Sequence, residues 1–251
     1  MTYRKTKELF TDVIICGMLL LILSSSGFSQ DDEKHLFILS GQSNMASLNP
    51  NESFIPAIEQ AFGKDQVIVV KSAFGGQPIR RWYREWSPWE GSEPQAQPDL
   101  YDTLMTKIQA AMPAQPISTV TFIWMQGERD AREGHGNVYA QSLSGLYRQL
   151  SQDLERDDMN FVIGRLSDFD LANERYPDWT MIRDIQVKLA SSNPRFAWID
   201  TDDLNDGINQ KGDEIQNDLH MSMQGYNEMG RRFAEKSIQL ITSHRSQTDN
   251  R

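Results

Sequence analysis

A serine hydroxyl becomes a nucleophile only when a neighbouring base takes its proton. Ser43 stands in Gly41-Gln42-Ser43-Asn44, directly after the apolar run Leu36 to Ser40, where a strand would deliver it to the edge of a sheet. Four histidines could supply the base. His35 begins the same run and belongs at the other end of that strand, His244 falls in a polar tail, and His135 sits in a glycine-flanked loop. His220, in "NDLHMSMQGY", lies at a loop-to-helix junction with Asn217 and Asp218 just before it. Such neighbours can hold an imidazole tautomer and stabilise the imidazolium. Donors for an oxyanion are also present: the Ser43 N–H, an N–H from Gly75 or Gly76, and the side-chain amide of Gln126. Together these residue types describe acyl transfer through a serine.

Such a site needs a scaffold that brings distant segments together. Short β-rich runs at 36–40, 66–71, 119–125, 161–166 and 196–201 carry few charges, as strands covered on both faces do. Helical patterns near 53–62, 99–112, 137–156, 178–192 and 223–242 separate or follow them. Tyr226, Met229, Gly230, Phe233, Ile238 and Leu240 form the apolar stripe of the last. The alternation predicts right-handed crossovers and a mainly parallel five-stranded sheet sandwiched by helices. Sites in such sheets lie beyond the carboxyl ends of the strands. Polar, glycine-containing clusters fall there after the first three runs: 41–44, 73–76 and 126–130.

Composition narrows the function classes. Arg4, Lys5 and Lys7 precede an apolar run from Val13 to Leu23 and a small-residue stretch from Ser24 to Ser29, the pattern of a secretory leader cut after Ser29, with an uncleaved anchor as the alternative. Residues 30–251 then form a single exported domain, periplasmic or extracellular, with no stable membrane insertion. The only cysteine, Cys16, falls inside the leader, so no disulfide staples the fold. A net charge of −10 disfavours nucleic-acid and anionic-membrane partners.

Four blocks in order, "GQSNM", "GGQPI..W", "WMQGE.D" and "DLH....GY.E.GRRFA", resemble the SGNH (GDSL-type) hydrolases, in particular the sialate O-acetylesterase-like branch and the family 6 carbohydrate esterases. The resemblance covers residues 35–240. It implies a flavodoxin-like three-layer α/β/α sandwich and a cofactor-free serine esterase that removes O-acetyl groups from carbohydrates through an acyl-enzyme. By position, Ser43 matches the nucleophile, His220 the base and Gly76 an oxyanion donor, while Gln126 takes the place that asparagine holds in many members. The family usually has aspartate three residues before its histidine, where this chain has Asn217. The third member of the triad is therefore Asp218, Glu128 of the third block, or Asn217. A general aryl or short-chain esterase and a non-catalytic glycan-binding relative are the alternatives.

The stretch "PIRRWYREWSPWEG" suggests where substrate binds. Aromatic faces suit sugar rings and guanidinium groups suit carboxylates, so Arg80, Arg81 and Trp82, with the flanking amides Gln42 and Asn44, are the substrate-binding candidates. The competing reading places the tryptophans over the sheet edge and pairs the arginines with Glu85, Glu90 and Glu93. His135 with Glu128, Asp130 and Glu133 fits no zinc spacing, and "DTDDLNDG" at 200–207 does not match a calcium loop, so no metal is expected.

Overall fold

The computed structural model describes residues 33–248; the predicted leader lies outside them. Five strands, β1 (Lys34–Gly41), β2 (Val67–Ala73), β3 (Ile117–Met125), β4 (Asn160–Gly164) and β5 (Phe196–Ile199), form one sheet in the order β2-β1-β3-β4-β5. Every pairing is parallel. The chain passes from β1 outward to β2 and then crosses back to β3 on the other side of β1. This reversal opens a crevice at the carboxyl ends of β1 and β3.

Alternation along the strands divides the core between two faces. Leu36 and Ile38 of β1, with Val120, Phe122 and Trp124 of β3, pack under α3 (Asp99–Ala111), α5 (Gly136–Asp153) and α6 (Trp179–Ala190). Phe37 and Leu39, with Ile123 and Met125, pack against α2 (Phe54–Phe62) and α7 (Met223–Thr248). Tyr226, Met229 and Phe233 supply the buried stripe of α7. The result is the three-layer sandwich that the alternating pattern predicts. The fourth and fifth strands end two residues earlier than their apolar runs.

Two short helices depart from the sequence reading, which leaves their residues in loops. One residue separates α1 (Ser43–Ser47) from β1, and two separate α4 (Glu128–Glu133) from β3. Five and six residues are too few for an amphipathic period to show. The acidic segment leading to His220 holds a small exposed antiparallel pair, β6 (Gly207–Ile208) and β7 (Glu214–Ile215).

Candidate active site

The end of β1 is built around a close approach. Gly41 has φ +142°, and a Cβ there would lie 1.9 Å from the Met125 carbonyl oxygen at the end of β3. Only a residue without a side chain fits that passage. The Gln42 N–H then donates to the Met125 oxygen at 2.9 Å, and the Phe74 N–H donates to the Gly41 oxygen at 3.0 Å, so the ends of β1, β2 and β3 are tied together. Ser43 follows as the first residue of α1, half-buried. Gly75 lies beside it: a Cβ built on Gly75 would meet the Ser43 Cβ at 3.8 Å. Gly76, exposed and at φ +67°, completes the turn. Among the described residues, the N–H groups of Ser43, Gly75 and Gly76 donate to no protein acceptor.

His220 reaches this lip from the other end of the chain. Asn44, next to Ser43, donates to the Leu219 carbonyl at 3.1 Å and accepts from the Met221 N–H at 3.3 Å. The residues on both sides of His220 are thus bonded to the residue after Ser43. The imidazole is about half exposed, and its Nδ1 lies 3.9 Å from Asp218 Oδ1. That separation exceeds a hydrogen bond but leaves the carboxylate as the ring's charged neighbour. The same oxygen accepts from the His220 backbone N–H at 2.8 Å. Asn217 is turned away. At φ 44° it occupies the left-handed region that asparagine tolerates, and its side-chain oxygen accepts from Asn205.

Glu128 is 1 % exposed, and burial pushes its carboxyl up to about 7. Its Oε1 accepts from Asn44 Nδ2 at 3.0 Å, so it bears on the His220 segment through Asn44. Gln126 also points inward. Its Nε2 faces Asp130 Oδ2 at 2.5 Å, the Gln77 carbonyl at 3.2 Å and Gln42 Oε1 at 3.3 Å, while its Oε1 accepts from the Tyr139 hydroxyl. An amide with two N–H groups and three acceptors around them has none left for an oxyanion. Gln126 therefore knits the three loops together, contrary to the sequence expectation.

A family model described as "Carbohydrate esterase, sialic acid-specific acetylesterase" matches residues 46–239. The chain belongs to this family. It is a carbohydrate O-acetylesterase. Solved structures share its fold at low identity. A protein from Arabidopsis thaliana is 18 % identical with a TM-score of 0.58, over 81 % of this chain and 97 % of that one. A carbohydrate acetylesterase from Xanthomonas citri is 16 % identical with a TM-score of 0.56, over 80 % of this chain and 55 % of its own. A family 3 carbohydrate esterase from Clostridium thermocellum is 14 % identical with a TM-score of 0.53, over 84 % and 98 %. No curated protein matches the sequence.

The side chains expected to meet substrate are engaged within the esterase itself. Trp82 is fully buried, edge-on to Trp124 at 5.3 Å. Arg80 pairs with Glu133 at 2.6 Å, and Arg81 grips Asp99 with two nitrogens while its third bonds Gln77. The tryptophan reading that places them in structural roles holds for Trp82 and Trp86, but Trp89 stays exposed and the arginines find other carboxylates than Glu85, Glu90 and Glu93. Gln42 is buried as well, its oxygen accepting from the Arg129 N–H at 3.1 Å. Asn44 is engaged at all its polar positions. His135 stacks edge-on against Trp86 and faces Glu133, and among the described residues no group of three or more metal-ligating side chains gathers.

Other residues line the rim. The segment after β4 carries Phe169 and Tyr176, packed edge to face at 5.6 Å, with Arg175 over the Phe169 ring at 4.9 Å. Burial raises the Tyr176 phenol, and the Phe169 carbonyl accepts from Asn217 Nδ2 at 3.5 Å, which links this segment to the one that carries His220. Between α1 and the start of α7, Ser47, Asn49, Glu52, Gln210, Tyr226 and Asn227 border a cleft of about 520 Å³ that contains none of the candidate catalytic residues. A larger groove of about 1100 Å³ between α2 and α7 contains none of the candidate catalytic residues. The strand-end rule already points to the segment after β4; sequence reasoning applies it to the first three runs only.

Proposed function

We propose that the esterase deacetylates sugars through Ser43. The Ser43 hydroxyl attacks the acetyl carbonyl while His220 takes its proton. The oxyanion that forms is held by the N–H of Ser43 and an N–H of Gly75 or Gly76. His220 returns the proton to the departing sugar oxygen, leaving an acetyl-Ser43 ester and a free sugar hydroxyl. Water, deprotonated by His220, then attacks that ester, the bond to the Ser43 oxygen breaks as His220 gives it the proton back, and acetate leaves. Asp218, the carboxylate nearest the ring, stabilises the imidazolium. The substrate is an acetylated carbohydrate outside the cytoplasm, reached by way of the leader at 1–29.

The convergence of Ser43, the Gly75-Gly76 turn and both neighbours of His220 at one crevice carries this reading. The test is acetate release from acetylated neutral sugars, acetylated acidic sugars and one aryl acetate. Ser43→Ala and His220→Ala should each lower kcat by about 1000-fold or more. Asp218→Asn should cost more than Glu128→Gln. Turnover surviving in Ser43→Ala would sink the serine mechanism, and a larger loss in Glu128→Gln would move the acid role to Glu128.

A further inference from the structure

We infer that Asn44 is a positioning residue: its buried amide clamps the His220 segment to the end of β1, so that base and nucleophile share one frame. The inference rests on the Ser43–His220 reading above. Asn44 is 1 % exposed. Its two N–H groups go to Glu128 Oε1 at 3.0 Å and the Leu219 carbonyl at 3.1 Å. Its oxygen accepts from the Met221 N–H at 3.3 Å and the Tyr226 hydroxyl at 3.1 Å. Both donors and both lone pairs are therefore used. Two of the four bonds go to the peptide groups flanking His220.

The orientation of the amide is enforced. A flipped amide would set its oxygen against the Leu219 carbonyl and its N–H groups against the Met221 N–H, and lose both bonds. The fixed roles of these two peptide groups thus select the orientation that holds Leu219 and Met221 together, with Glu128 buried behind it. The clamp sits where the segment otherwise runs along the surface. Asn217 and His220 are exposed, and the β6–β7 pair that precedes them lies mostly at the surface. Upstream, Asn205 anchors Asp218 through a side-chain donation to its carbonyl at 3.0 Å. Asn44 supplies the matching anchor at the catalytic end. A side chain directly after the nucleophile converts the position of β1 into the position of the base. Displacement of the imidazole by about 1 Å can cost on the order of 100-fold in rate without loss of substrate binding.

The experiment measures kcat and KM on an aryl acetate and an acetylated glycan, together with the rate of Ser43 labelling by a fluorophosphonate, for Asn44→Ala, Asn44→Asp and Tyr226→Phe. Circular dichroism and melting confirm the fold. Folded Asn44 variants should lose about 30-fold or more in kcat and in labelling rate with KM within about threefold of wild type. Tyr226→Phe, which removes one of the four bonds, should lose about three- to tenfold in kcat at unchanged KM. A folded Asn44 variant with kcat within threefold of wild type, or with its loss expressed in KM, would overturn the inference. If neither Asn44 variant folds, Tyr226→Phe decides, and an unchanged kcat overturns it. Ser43→Ala and His220→Ala separate the two levels. If both are inactive while the Asn44 variants are normal, only the clamp fails; if Ser43→Ala still turns over, the serine reading fails and the clamp with it.

Discussion

Glu128 and Asp130 sit in the first turn of α4, both almost wholly buried, and burial pushes each carboxyl up to about 7. Their unfolded counterparts titrate near 4.5 and 3.8. The folded state therefore holds these protons more tightly, and the contribution of this pair to stability is greatest at low pH and is lost as pH climbs from about 4 toward 7. Glu128→Gln with Asp130→Asn keeps the carbonyl oxygens that accept from Asn44 and from the Ile79 N–H while removing the charge. The melting temperature of wild type should drop between pH 5 and pH 8 more than that of the double variant; parallel curves would contradict the assignment. At this scale the sequence shows residue types but not which way they face. That Ser43 follows a buried strand and that His220 precedes the last helix is legible, because the apolar runs on either side mark those two junctions. Gln42, Asn44 and Gln126 are not, because an amide is as well suited to satisfying buried loops as to binding a sugar. Trp82 and Arg81 show the same ambiguity: one fills the core and the other grips Asp99.

The elements repeat the lesson with a different outcome. The five strands and five long helices are legible because a parallel sheet covered on both faces leaves continuous apolar runs, and helices of nine or more residues repeat their stripe. α1 and α4 are not, since each is a turn or so of helix fixed by the strand before it. β1 and its turn into α1 depend on Gly41. Replacing it with alanine would set a Cβ 1.9 Å from the Met125 oxygen on a backbone at φ +142°. Gly41→Ala should therefore destabilise the protein by more than about 2 kcal/mol and lower activity further than its fraction unfolded accounts for. Urea denaturation with parallel kinetics checks this, and a stable variant with normal kcat would contradict the account of that passage.

Across the whole molecule, the order β2-β1-β3-β4-β5 is what makes one site from residues almost 180 positions apart. The reversal between β1 and β3 leaves a crevice that Ser43 enters from β1, Glu128 from β3 and His220 from the segment before α7. In the large groove between α2 and α7, Arg231 pairs with Glu228 and Glu235, and Arg232 with Asp203. Volume therefore does not mark the chemistry, and convergence at the strand ends does. The four sequence blocks name the family because each maps to one of these strand ends or to the start of α7. The most direct measurement is fluorophosphonate labelling followed by peptide mass analysis. A single adduct on Ser43, formed at least about 100-fold more slowly in His220→Ala, is the predicted result. An adduct on any other residue, or esterase turnover that survives with Ser43 fully blocked, would contradict it.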